Sequence, residues 1–448
     1  MSPRWFAESG HGPAGEGSGR ARRAPTRASP PDTSMTAGLA PVRVALLGSG
    51  GSIGRQAVDV LSSMPDAFRV VALATGSQAR LLEEQARQLG PAVVSLADER
   101  AATRLDLPAG VARVSGDDAL EAIVARPDVD LVLVATGGLV ALRSVLAALE
   151  AGKIVATANK ETLVAGGHLV MPLARALAQR KAAKIGAAAP GAAAPGAPRH
   201  PLASPLGWLR PIDSEHSALW QCLIGEDHGA IARLLLTASG GPFLETSVAE
   251  LATVTPDRAL RHPTWRMGAK ITIDSATLAN KGLETIEARW LYDVPFSAIS
   301  VVIHPQSVVH SAVQFVDGSV KAQLGTPDMR LPIQYALTYP ARRPSPAAAV
   351  DLIAAGRLDF RAPDVERFPA LRIAREAGLA GPRASTALIS ADEVAVKRFL
   401  GGSLDFQGIP RVLAAAVEKF GYGEPREPGL DEIVALDVQV RAFAEVAS

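Results

Sequence analysis

The sequence predicts an α/β protein in three parts: an N-terminal doubly wound, Rossmann-like domain, a central α+β domain and a C-terminal helical domain. Three observations predict it. Buried-strand runs alternate with helical runs from Val42 to about Ala158; apolar strands then follow one another between Ile299 and Gly325; and the chain beyond residue 365 is helical in period. With 448 residues, 48% of them hydrophobic and 20% charged, the chain is long enough for two or three domains around a substantial core.

Element by element, "VRVALLGSGGSIGRQAVDVL" (42–61) reads as strand, glycine turn and helix. "FRVVALAT" (68–75) is a second strand, and "ARLLEEQARQLG" the helix after it. "AVVSLAD", "VDLVLVAT" and "KIVATA" repeat the buried-strand pattern of a parallel sheet, giving a domain over 41–212. Residues 181–205, rich in Ala, Pro and Gly, read as an inserted surface loop. "ARLLLTAS" (232–239) is a strand, "TLANKGLETIEARWLY" (277–292) a single helix, and "ISVVIHP", "SVVHSAVQFV" and "SVKAQLG" an antiparallel set, with Asp317-Gly318 as the last turn. That defines 213–338; residues 339–364 read as a linker and 365–448 as helices. Residues 1–40, dominated by Gly, Pro, Arg and Ser, read as a disordered tail.

Composition excludes several classes of partner. A net charge of +1 gives no electrostatic case for nucleic acid or an anionic membrane. No apolar run approaches the ~20 residues needed to span a bilayer. The lone cysteine, Cys222, rules out an internal disulfide framework and fits a reducing, cytoplasmic setting.

The glycine turn carries the first chemistry. A G-x-G-x-x-G register fails, because Ile53 occupies its last position; Gly48, Gly51 and Gly54 instead give G-x-x-G-x-x-G. Glycines there permit a tight turn and close backbone approach to a pyrophosphate at a helix N-terminus. Gly48, Ser49, Gly50, Gly51, Ser52 and Ile53 are therefore candidate dinucleotide contacts. At the end of the second strand, where an acid would hold an NAD ribose, stand Gly76, Ser77 and Gln78, with Arg80 nearby. That pattern favours NADP.

"LRPIDSEHSALW" (209–220) places Asp213 and Glu215 two residues apart, and in an extended segment side chains so spaced face the same way. On the helix of "DSATLANKGLE", Asn280, Lys281 and Glu284 share a face. Three carboxylates are hard oxygen donors that suit Mg²⁺ or Mn²⁺ better than zinc. Spacing alone equally allows Asp213 as a helix cap and Glu284 as a solvated residue. Ser239 before Gly240-Gly241, Ser275 where a helix is expected to begin, and Lys281 as a cation together suggest a phosphorylated substrate.

Taken together, "GSGGSIG", "ANKETLV", "PIDSEHSAL", "SGGPF", "RHPTWRMGAKITIDSATLANKGLE", "IHPQSVVHS" and "GTPDMRLPI" resemble the 1-deoxy-D-xylulose 5-phosphate reductoisomerases, from about Val42 to the C-terminus. The resemblance implies NADPH, a divalent metal on Asp213, Glu215 and Glu284, and a homodimer formed through the central sheet. It implies a substrate phosphate at Ser239, Ser275, Asn280 and Lys281, with Ser214 and Lys160 on the carbon skeleton. Asn159, Glu161 and Gly268 would meet the cofactor. Residues 262–268 would form a lid, with His262 near the phosphate and Trp265 over the skeleton. The implied reaction is rearrangement, by retro-aldol cleavage and aldol rejoining, followed by hydride reduction. The chain departs from the family pattern at Gly50, where threonine is usual, at the 134–139 run, at Asp392, where asparagine is usual, and in the 181–205 insertion.

Overall fold

The computed structural model describes residues 40–186, 200–423 and 426–447. The tail expected over residues 1–39 and most of the expected insertion lie outside them. The described edges of that insertion are ordered: residues 181–184 close a long helix, and Pro201–Ala203 form a 3₁₀ turn. Residues 41–448 form one compact unit.

Seven strands build a parallel sheet in the order β4-β3-β2-β1-β5-β6-β7. They are β1 (Val42–Leu47), β2 (Phe68–Thr75), β3 (Val93–Leu96), β4 (Ala112–Val114), β5 (Leu131–Val134), β6 (Ile154–Thr157) and β7 (Leu209–Pro211). Residues 44–47 of β1 are fully buried because helices cover both faces, which is why these strands read as unbroken apolar runs. β4 and β7 escaped the sequence reading: each has three residues, β4 is partly exposed and β7 ends on a proline. Strand order reverses between β1 and β5, and the crevice at such a switch point is where this fold binds nucleotides.

Helices of nine or more residues are numbered in chain order. α1 (Ser52–Ser62), α2 (Ala79–Leu89), α3 (Val140–Glu150) and α4 (Glu161–Lys184) belong to the parallel sheet. α5 (Ser214–Leu223) and α7 (Ala279–Tyr292) pack on a second sheet, α6 (Ala269–Thr277) precedes α7, and α8 (Arg330–Thr338) packs on α1, α5 and β7. The strands of the second sheet are β8 (Ile231–Ala238), β9 (Ile299–Ile303), β10 (Val309–Phe315) and β11 (Val320–Leu324), in the order β11-β10-β8-β9. The expected antiparallel sheet is mixed: β8 and β9 pair in parallel, because the helices between them carry a crossover. β10 runs antiparallel to both β8 and β11, and its turn to β11 places Gly318 at φ 86°.

The single helix expected over 277–292 is two. Leu278 takes a left-handed conformation (φ 60°), ending α6 and starting α7 at an angle to it. The C-terminal region is helical as expected, with α9 (Ala370–Ala380), α10 (Pro382–Leu400), α11 (Gly408–Phe420) and α12 (Leu430–Ala444). α10 packs on α4, α6, α11 and α12, and one apolar cluster runs continuously from the parallel sheet through Phe243 and Ile286 to these helices.

Candidate active site

Facing the switch point is a cavity of about 410 Å³. Ser52 and Ile53 of the glycine turn line one end, the acids and lysines of α4, α5 and α7 the floor, and Ser239, Ser275 and the 265–268 loop the rest.

The acids converge by a route other than the expected one. Asp213 is not in a strand: it caps α5, its Oδ1 accepting from Glu215 N (3.1 Å) and His216 N (3.4 Å). Glu215 sits in the first turn, so both carboxylates gather at the helix mouth. Glu284, fully buried on α7, completes the group: one oxygen from each of the three lies within 4.8 Å of the others.

Cations and amides lace this cluster. Lys160, at the start of α4, is paired with Asp213 and lies 3.2 Å from Glu284 and 3.6 Å from Glu287. Lys281 lies 2.8 Å from Glu215 and also contacts Glu284. Asn280 donates to Glu284 (2.6 Å) and Ser214 Oγ to Glu215 (2.6 Å). Four carboxylates (213, 215, 284, 287) thus face two ammonium groups (160, 281), a surplus of two negative charges before His216, 3.3 Å from Glu287, is counted. The strain shows in the protonation equilibria. Burial, then Glu284, pushes the Glu215 carboxyl up. Burial also opposes the Asp213 charge, but Lys160 and His216 outweigh it and hold that carboxyl below the usual range.

Beside the acids is a hydroxyl–imidazole group. His262 Nε2 is 2.9 Å from Ser239 Oγ and 3.2 Å from Ser275 Oγ. Its Nδ1 accepts from the backbone of Thr264 (3.1 Å) and Trp265 (2.9 Å), so Nε2 carries the proton of the neutral ring and faces the serines as a donor. Burial lowers the His262 pKa, which favours that neutral form. Ser275 stands in the last turn of α6, not at a helix start as expected, because the break comes later, at Leu278. Gly240 and Gly241 have φ of 85° and 67°, and a β-carbon on Gly241 would lie 2.8 Å from the Ser275 carbonyl; the glycines let β8 turn directly under the serine. Trp265 is partly buried, 5.9 Å from the His310 ring, and the loop reaches the cavity through Arg266, Met267 and Gly268.

At the dinucleotide end, Gly48 (φ 87°) and Gly54 are sterically required: a β-carbon would stand 2.6 Å from the Ala135 backbone or 2.1 Å from the Gly48 carbonyl. Gly51 caps α1 and meets nothing closer than 3.5 Å. The Ser49 side chain is fully buried, so only its backbone is free to meet a nucleotide. Gly76, Ser77 and Gln78 lie exposed at the end of β2. Asn159 is buried beside the turn. Its amide donates to the carbonyls of Thr136 and Gly138 (2.9 Å each) and its oxygen accepts from Thr162, so it braces the 136–138 loop. Glu161 lines the cavity, nine-tenths buried.

The sequence reading missed Lys270, Asp274, Glu287, Gln56 and Met329. Lys270 bridges Asp274 (2.7 Å) and Asp392 (2.6 Å), and burial followed by Asp392 pushes the Asp274 carboxyl up to about 8. Asp274 was readable: it follows Lys270 by four residues on a helix, a spacing that pairs side chains.

Comparison with known proteins identifies one family. The family model described as 1-deoxy-D-xylulose 5-phosphate reductoisomerase matches residues 44–167, its C-terminal domain residues 209–292, and the DXP reductoisomerase C-terminal domain residues 324–443. A reductoisomerase of that name from Pelotomaculum thermopropionicum is 49% identical over 398 residues, 88% of this chain and 95% of the relative. One from Anaeromyxobacter sp. (strain K) is 50% identical over 378 residues, 84% and 90% of the two chains. Among solved structures, the Zymomonas mobilis reductoisomerase in complex with NADPH aligns with TM-score 0.76 at 35% identity, over 90% of this chain and 98% of that one. A reductoisomerase in complex with NADPH, fosmidomycin and magnesium aligns with TM-score 0.78 at 37% identity, over 90% and 97%. On sequence and fold alike, the chain belongs to the 1-deoxy-D-xylulose 5-phosphate reductoisomerase family.

Proposed function

We propose that the protein rearranges 1-deoxy-D-xylulose 5-phosphate and reduces the product with NADPH to 2-C-methyl-D-erythritol 4-phosphate, in the non-mevalonate isoprenoid pathway, with Mg²⁺ or Mn²⁺ on Asp213, Glu215 and Glu284. One observation carries this reading: the oxygens of three acids from two distant segments lie within 4.8 Å of one another, in the cavity that also holds the Ser239–His262–Ser275 group and opens on the glycine turn.

The residues fit both absent groups. The metal site offers only hard oxygen donors, and a divalent cation would offset the excess of carboxylates over ammonium groups around it. The nucleotide end is a switch-point crevice whose first turn excludes side chains at Gly48 and Gly54 and whose second strand ends without an acid. When bound, the cation supplies Lewis-acid stabilisation of negative charge on substrate oxygens, and NADPH supplies the hydride.

The protein's own groups do the rest. Asp213, Glu215 and Glu284 hold the metal, with Ser214 and Asn280 fixing two of those carboxylates by hydrogen bonds. Lys160 and Lys281, each anchored by two or more acids, offer N–H donors to the substrate. Ser239, Ser275 and the Nε2–H of His262 receive the phosphate, a donor set for an anion, with Lys281 nearby as the counter-charge. Loop 262–268 brings Trp265 over the carbon skeleton and excludes water from the reactive aldehyde. Asn159 and Glu161 shape the nicotinamide end with Gly268, Asn159 through the loop it braces.

The same reading divides the chain into cofactor (41–212), catalytic (213–338) and helical (365–448) domains around a 339–364 linker, and makes it a cytoplasmic homodimer. No described helix is long and apolar enough to cross a membrane. A spectrophotometric assay with NADPH and the deoxyxylulose phosphate tests the function: NADPH oxidation requires Mg²⁺ or Mn²⁺ and collapses in Glu215→Gln. Metal-independent oxidation, or full turnover by that variant, would refute it. Light scattering in solution tests the dimer.

A further inference from the structure

Arg55 has no part in the reading above, although its surroundings are specific. It stands exposed on the first turn of α1, and its guanidinium reaches back over the glycine turn: Nε donates to the Gly50 carbonyl (3.0 Å) and one Nη to Gln78 Oε1 (2.8 Å). Gln78 in turn donates to the same Gly50 carbonyl (3.1 Å). This triangle ties the turn after β1 to the end of β2, the edge that receives the adenosine ribose in a doubly wound nucleotide fold. An acid at that edge reads a 2′-hydroxyl, and an arginine accommodates a 2′-phosphate. Ser77 and Gln78 are neutral, so the loop itself supplies no cation.

Gly50 makes the arrangement possible. A β-carbon there would stand 2.6 Å from Thr75 Oγ1 and 3.1 Å from the Gln78 amide. A side chain at this position would therefore displace Gln78, and with it the acceptor that holds Arg55. The two bonds engage two of the five guanidinium N–H groups, leaving a planar fork suited to phosphate oxygens.

We propose that Arg55, seated by Gln78 over the side-chain-free Gly50, is the specificity-determining residue that selects NADPH over NADH through the 2′-phosphate. The inference rests on the NADPH reading above. Arg80, exposed on the first turn of α2, is the rival cation.

Calorimetric titration of the full chain with 2′,5′-ADP, which carries the 2′-phosphate, and with 5′-AMP, which lacks it, separates the cases. Arg55→Ala is expected to weaken 2′,5′-ADP by about 10- to 100-fold, the scale of one lost charged hydrogen-bond set, while 5′-AMP binds as before. The KM for NADPH rises while kcat at saturation and the KM for NADH hold. Arg55→Lys recovers part of the affinity, and Gly50→Thr moves in the direction of Arg55→Ala. Unchanged 2′,5′-ADP affinity in Arg55→Ala, equal weakening of both nucleotides, or the loss appearing in Arg80→Ala instead would overturn the assignment to Arg55. A parent protein that binds both nucleotides alike would overturn the NADPH reading itself.

Discussion

Two buried lysine–carboxylate clusters share one cavity, and they are built differently. Around Asp213, Glu215, Glu284 and Glu287 the acids outnumber Lys160 and Lys281 by two charges, and three of the acids turn oxygens toward a common point. Around Lys270, Asp274 and Asp392 a single ammonium sits between two carboxylates, with Glu161 the next charge along. The surplus there is one, and a shared proton removes it, which is what the raised Asp274 carboxyl reports. With His216 counted as a cation the excess is one in both clusters, so it is the convergent oxygen donors that suit a divalent ion, while two carboxylates on one ammonium are quenched by a shared proton. The difference teaches that burial of acids is not by itself a metal site; convergence of their oxygens is the further requirement.

The comparison can be broken most forcefully at the convergent acids. Glu284→Gln should reduce kcat/KM by more than the about 10- to 100-fold that loss of an outer-shell partner costs a metal site, measured at fixed Mg²⁺. Glu287→Gln removes a partner of Lys160 and His216 without touching the three convergent acids' oxygens; a drop of about 10- to 100-fold is expected, again in kcat/KM. Smaller still is the effect of Gly54→Ala, which acts on the fold: a β-carbon 2.1 Å from the Gly48 carbonyl forces the turn apart, costing about 1–3 kcal/mol in a denaturant titration. Smallest is Asp392→Asn. Asp274 has a folded pKa near 8, above its unfolded value of 3.8, so the native state holds the extra proton between these values and stability falls as pH rises through that window. Removing the Asp392 charge should flatten that fall between pH 4 and 8 in thermal melts and leave turnover at pH 7 within about twofold, as expected for a swap away from reacting groups.

Legibility in the sequence followed physical cause. Long strands buried on both faces announce themselves as apolar runs, so β1, β2, β5 and β6 were readable; three-residue β4 and β7 carry too little pattern. The break at Leu278 was hidden because a leucine in left-handed conformation is set by the packing around it, not by its propensity. Asp213 and Glu215 were the right pair on a wrong premise. A helix cap and its first turn bring acids together as well as a strand does, and the cap was the bland alternative for Asp213. The surroundings of Ser49 and Asn159 are not visible in spacing: the Ser49 side chain is buried, and the Asn159 amide is held by Thr136, Gly138 and Thr162. Lys270 and Asp392 meet only in three dimensions.

Calorimetry with Mn²⁺ on the parent protein and on Glu284→Gln tests the convergence directly. One tight ion per chain in the parent, abolished in the variant while Asp392→Asn still binds it, is the expected result. Equal Mn²⁺ binding by parent and Glu284→Gln would contradict the account.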